Sequence, residues 1–233
     1  MNRTSPSGSH GLIRSGKDRE KVLLKANIIL LVALSVMIFI SPVLPKQDHI
    51  LTRVLLCILV GSGLFAAEFN KAAFRILSTI GALVILVTLL SLILHESNNL
   101  SILTFFLNTL FFIIVTIALV AHVAQAKNVD GSILLCAINS YLLIGLTLSI
   151  LFMIMDLFFP GSFEQLDTGT GKFSTFVYYG FITLTTLGYG DITPSTAMAR
   201  SLSAFTALFG QLYLVIIMAL IIGKFLITKK TKE

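Results

Sequence analysis

Apolar residues in this chain come in long runs, each about as long as a bilayer's hydrocarbon is thick. Six such runs span residues 22–41, 50–68, 75–94, 100–123, 132–159 and 198–226. A helix rises about 1.5 Å per residue, so about 20 apolar residues cross the roughly 30 Å hydrocarbon layer. Water offers no fold that buries six helices apolar all round. Only 12% of the 233 residues are charged and 56% are hydrophobic, where a soluble domain carries roughly a quarter charged. The expectation is an all-α integral membrane protein with six transmembrane helices. The first run has a basic flank, as a signal peptide has. It is too long for a typical signal core, and "SPVLPKQ" after it offers no small-x-small cleavage site, so it reads as a retained helix.

Lys and Arg orient the spans, because cytoplasmic loops carry an excess of them. With the N-terminus cytoplasmic, only Lys46, Arg53, Lys172 and Arg200 of the 17 fall on the opposite side. Both termini are then expected inside and the stretch 160–197 outside, in a plasma or bacterial inner membrane. Residues 1–21 read as a cytoplasmic, largely disordered N-terminus, and the basic cluster there as a topology signal that can also meet anionic lipid. Residues 227–233 read as a short cytoplasmic tail. The formal charge of +6 sits at segment ends and not along one face, so nucleic acid is not an expected partner. Cys57 and Cys136 lie inside apolar runs and read as small buried hydrophobes, not as a disulfide or metal pair.

Between the fifth and sixth runs the chain must enter the membrane and return on the same side. "FFPGSFEQLDTGTGK" (158–172) holds Pro160, Gly161, Gly169 and Gly171, a turn-rich outer loop. Ser174 or Thr175 offers an N-cap for the short apolar stretch "TFVYYGFITLTT". About a dozen residues cannot span a bilayer but suit a re-entrant helix. Thr186-Leu187-Gly188-Tyr189-Gly190 follows. Irregular backbone at membrane depth is tolerated only where it is buried in protein or lines water. A dehydrated cation needs oxygen ligands in place of its water shell, and successive carbonyls can supply them. Glycine at alternate positions permits the backbone angles this requires. One loop cannot encircle an ion, so several chains must converge.

"TTLGYGD" (185–191) between two membrane helices resembles the selectivity filter of tetrameric potassium channels, usually threonine-valine-glycine-tyrosine-glycine-aspartate. The resemblance covers about residues 135–226. It implies a homotetramer with fourfold symmetry and K+ as permeant ion, held at Thr186, Leu187, Gly188 and Tyr189 with Gly190 completing the filter. No other cofactor is implied. Leu187 departs from the usual valine or isoleucine, but its carbonyl is what the filter uses. The resemblance further implies filter support from Tyr178, Tyr179, Thr185 and Asp191. Tyr179 becomes a candidate partner for the Tyr189 hydroxyl of a neighbouring chain. Ile182 stands where some bacterial relatives carry a glutamate. Gly210 matches the hinge glycine of the family's inner helix, with close packing as the other reading. Beside it, Gln211, Leu214, Met218 and Ile222 share one helical face, expected to line the cavity, an interhelical hydrogen bond being the alternative for Gln211.

Residues 22–124 resemble a voltage sensor in order but not in chemistry, and 132–226 form the expected pore domain. The fourth run, "LSILTFFLNTLFFIIVTIALVAHV", holds no Lys or Arg. One charge moved through the field supplies about 2.3 kcal/mol per 100 mV, so this run has nothing to move. Asn108 and Thr109 are expected to bond between helices, and Glu68 to pair locally with Lys71 or Arg75. No nucleophile, general base or metal triad stands out, so an enzyme is not expected. The function expected is passive, potassium-selective conduction that is not steeply voltage-gated. A nonselective cation channel and a regulatory or silent channel subunit are the alternatives.

Overall fold

The computed structural model describes residues 9–40, 49–66, 71–93, 98–126, 129–165 and 172–230. Seven helices account for most of these: α1 Ser9–Phe39, α2 His49–Ala66, α3 Lys71–Ile93, α4 Asn98–Gln125, α5 Gly131–Phe158, α6 Lys172–Leu184 and α7 Ala197–Lys230. Among the described residues, five carry apolar stretches long enough to cross a membrane: Lys21–Phe39, Phe74–Ser91, Leu100–Gln125, Gly131–Phe158 and Ala197–Phe225. The apolar part of α2 is shorter, Ile50–Ala66, about 25 Å at the helical rise. The expected run continued to residue 68, outside the described residues. So does the ion pair expected at Glu68, and Gly169 and Gly171 of the outer loop lie outside as well.

α1 begins at Ser9, inside the segment expected to lack structure. "GKDREKVLLK" is rich in good helix formers, and elongating a formed helix costs far less than nucleating one. The apolar span therefore carries its helix outward into the polar flank. α6 also starts earlier than expected. Ser174 and Thr175, the expected caps, lie within its first turn. Lys172 opens the helix, and its Nζ sits 3.0 Å from Asp156 Oδ2 at the end of α5. The all-α expectation misses one small feature: Phe163–Glu164 (β1) pairs antiparallel with Thr193–Pro194 (β2), Phe163 opposite Pro194 and Glu164 opposite Thr193.

α5 is the hub. It packs on α1, α4, α6 and α7, while α2 bridges α1, α3 and α4. Asp130 caps α5, its Oδ1 accepting from the Ile133 N–H at 2.9 Å. Polar side chains tie the first four helices together. The Arg53 guanidinium on α2 donates to the Ser91 carbonyl on α3 and, at 3.2 Å, to Ser101 Oγ on α4. Asn108 Nδ2 donates to Thr88 Oγ1 at 3.2 Å across α3 and α4, as expected. Thr109 instead returns its hydroxyl to the Phe105 carbonyl of its own helix, which satisfies it without a neighbour. At the other end of the bundle, Asn27 on α1 donates to the Ala66 carbonyl at 2.7 Å and receives Asn139 Nδ2 of α5 at 3.0 Å. Cys136 joins that knot through Asn27 Oδ1. Both cysteines are free.

Candidate functional site

Two glycine contacts set α6 against α5. A Cβ on Gly180 would come within 2.0 Å of Ser149 Oγ, and one on Gly145 within 2.5 Å of the Phe181 ring. At Gly180 the two backbones approach closely, and at Gly145 the missing side chain makes room for the Phe181 ring. Aromatic rings lock the rest. Tyr179 packs edge-on against Phe152 (centroids 4.9 Å apart) and Phe163 (5.2 Å), and Phe163 against Phe176 (5.3 Å). The outer loop, α5 and α6 thus share one aromatic cluster. Tyr179 is buried within it, and its hydroxyl shares a 2.6 Å hydrogen bond with Ser203 Oγ of α7. Where the sequence suggested the Tyr189 hydroxyl of a neighbouring chain as partner, the bond within the chain goes to Ser203.

The C-terminus of α6 shapes the loop. Thr185 is the last residue of the turn, its N–H bonding the Phe181 carbonyl at 3.0 Å and its hydroxyl the same oxygen at 2.7 Å. The Thr186 N–H bonds the Thr183 carbonyl at 3.0 Å and the Leu187 N–H the Ile182 carbonyl at 2.9 Å. This pair of bonds is a Schellman motif, which calls for a left-handed residue at the position Thr186 fills. Thr186 adopts it, with φ 60°. Glycine is the usual occupant there, and a β-branched residue stores strain of about 1–3 kcal/mol.

Left-handed φ recurs at Gly188 (50°) and Gly190 (79°), alternate positions along the loop. The Gly188 N–H also returns to the Ile182 carbonyl, at 3.1 Å. In a trans peptide the carbonyl points opposite to the following N–H. The Leu187 and Gly188 N–H groups point back at α6, so the Thr186 and Leu187 carbonyls point away from it. Residues 185–191 are all exposed on this chain, Tyr189 at 68%. The loop therefore presents oxygens outward from the protein and not into a core.

The far end of the loop is tied down. Tyr178 Oη donates to Asp191 Oδ2 at 2.6 Å, and Asp191 Oδ1 accepts from the Ile192 N–H at 3.2 Å. Beyond it, β2 pairs with β1, the Ser195 N–H reaches the Ser162 carbonyl at 2.9 Å, and Arg200 Nε reaches the Pro194 carbonyl at 3.2 Å. The outer loop is thus a brace for the loop's exit, which no periodicity could reveal because the pairing is two residues long. A cleft of about 560 Å³ runs along α6 beside the end of α1, lined by Ile38, Phe39, Tyr178, Ile182 and Asp191 among others.

α7 meets the loop through two neighbouring residues. A Cβ on Gly210 would fall 2.1 Å from the Leu184 carbonyl oxygen, so the close-packing reading of this glycine holds here. The helix runs unbroken through it. Gln211 Nε2 then donates to Thr186 Oγ1 at 3.2 Å. Gln211 is exposed on the same side as Leu214, Met218 and Ile222. Lower down, the Tyr213 hydroxyl donates to the Ala137 carbonyl at 2.7 Å and shares a hydrogen bond with Ser140 Oγ at 2.6 Å. Sequence reasoning passed over Tyr213, Ser140 and Ser203. Their one signal was a hydroxyl inside an apolar run, which must find a partner somewhere. Among the described residues no cluster of three or more His, Cys, Asp or Glu could hold a metal ion.

No curated protein and no solved structure matches the chain. Residues 141–227, which hold most of α5, all of α6 and the exposed loop, and most of α7, match the family model described as ion channel. That match supports passive ion conduction by a multi-pass membrane protein, and it falls on the elements that build the loop.

Proposed function

We propose that the chain is a subunit of a homotetrameric, potassium-selective channel. The observation that carries this reading is the loop 186–190: left-handed at alternate residues, carbonyls of Thr186 and Leu187 turned away from α6, and exposed throughout. One chain supplies oxygens on one side of an ion only. Four loops around an axis supply a full cage at each level, replacing the hydration shell of a K+ at Thr186, Leu187, Gly188 and Tyr189. Tyr178, Tyr179, Thr185 and Asp191 hold the loop from behind and outside. Gln211, Leu214, Met218 and Ile222 line a water-filled cavity below it, and Gly210 serves as both packing notch and hinge of α7. In the bilayer α2 counts as the sixth crossing, with both termini cytoplasmic, in a plasma or inner membrane. The positive-inside bias supports that orientation.

Reconstitution of the purified protein in planar bilayers tests the reading. The expected result is a current that reverses close to the potassium equilibrium potential under a K+/Na+ gradient. Reversal near zero identifies a nonselective cation channel, and a silent bilayer with intact tetramers identifies a regulatory subunit. Either outcome overturns the proposal.

A further inference from the structure

Thr186 occupies a costly backbone conformation that glycine would adopt freely, and its hydroxyl receives a side chain from a different helix, at 3.2 Å from Gln211 Nε2. Strain of this kind persists only where the surroundings hold it. Here they do so at two points one residue apart: Gly210 lies against the Leu184 carbonyl, and Gln211 reaches the Thr186 hydroxyl. The notch at Gly210 thereby fixes where the Gln211 amide can go.

We infer that Gln211 tunes the innermost cation site by donating a hydrogen bond to Thr186 Oγ1. The inference rests on the reading of the loop as an ion path. A threonine hydroxyl has one proton and two lone pairs. A cation at the inner end of the loop is held through a lone pair of that oxygen. The Gln211 N–H takes one of the two and places a partly positive hydrogen beside the site. Both effects weaken the pull of Oγ1 on a cation. Conduction needs sites weak enough to leave as well as strong enough to enter. An apolar residue in place of Gln211 would leave the oxygen free and hold the ion longer. Gln211 is therefore a positioning residue for permeation, acting through Thr186.

Barium, close to potassium in size and doubly charged, is the probe. Calorimetric titration of the purified wild-type tetramer and of Gln211→Met reads its affinity without requiring a current. A single hydrogen bond released at the ligand oxygen should raise barium affinity about fivefold and lower the single-channel potassium current. Thr186→Ser keeps the hydroxyl and should keep the fivefold dependence on Gln211. In Thr186→Ala, which lacks it, Gln211→Met should change nothing. Unchanged barium affinity in Gln211→Met, or an equal gain with and without the Thr186 hydroxyl, overturns the inference. The two failures are separable. Loss of the inference leaves a potassium-selective current in the wild type, whereas a wild type without such a current overturns the function itself.

Discussion

The four helices α1–α4 and the segment α5–α7 differ in where some of their polar groups go. In the first unit they turn toward one another: Arg53 reaches across to α3 and α4, and Asn108 meets Thr88. In the second, a whole stretch of backbone from Thr185 to Asp191 stands exposed, with Gln211 beside it. Polar groups at membrane depth either satisfy one another or face water or protein. The first arrangement describes a scaffold and the second a path. Length and hydropathy alone do not separate the two units, since both supply membrane-length helices. The direction of the polar atoms does.

The sharpest way to break this contrast is at the exposed loop. In Gly190→Ala the added Cβ meets nothing within 4 Å in its own chain, yet the residue must hold φ 79°, so within the chain its cost is backbone strain. The expected outcome is loss of potassium selectivity by at least an order of magnitude with tetramers still formed, read from reversal potentials and gel filtration. Gly210→Ala fails for the opposite reason: its Cβ runs into the Leu184 carbonyl. It should destabilise the protein by about 3 kcal/mol, the upper range for overpacking, measured by detergent denaturation. In the scaffold, Arg53→Met should cost about 2 kcal/mol, as for hydrogen bonds from a charged donor. Its potassium-over-sodium permeability ratio should stay at the wild-type value, and a changed ratio would join the two units functionally. The smallest effect is a null one. With no Lys or Arg in 100–123, no gating current should be measurable when permeation is blocked. A fast charge movement of several charges per tetramer would mean that the first unit is no inert scaffold.

Much of this was legible from residue type and spacing, where the physics is local. Runs of membrane length located the apolar spans within a few residues, and the stretch Thr186–Gly190 announced irregular backbone from its glycines alone. The start of α6 was misread by two residues, and the contact that Lys172 makes there, with Asp156, joins residues distant in the chain. The helix at Ser9 was missed because elongation from an apolar span ignores the polarity of its flank. The Asn27–Asn139 knot and the Gln211–Thr186 bond were illegible for one reason: an amide in an apolar run signals need without naming the partner. Gly210 was legible as a special residue, and packing against Leu184 is the part of its role that the fold displays.

The connection from α4 to α5 comprises only residues 126–130, and short connections leave neighbouring helices antiparallel and packed together. α4 accordingly lies on α5 of its own chain. Lys224 of α7 closes the arrangement, donating to the Val123 and Ala124 carbonyls at 2.8 and 2.7 Å, a cation on the orphan acceptors of a helix end. The consequence is genetic. In the proposed tetramer, a lesion at the contact of α4 with α5 is transmitted first to the α5–α7 segment of the chain that carries it. On that reading, a mixture of mutant and normal chains should show graded deficits that follow the number of altered copies, whereas a lesion in a path shared by all copies should be dominant from a single copy.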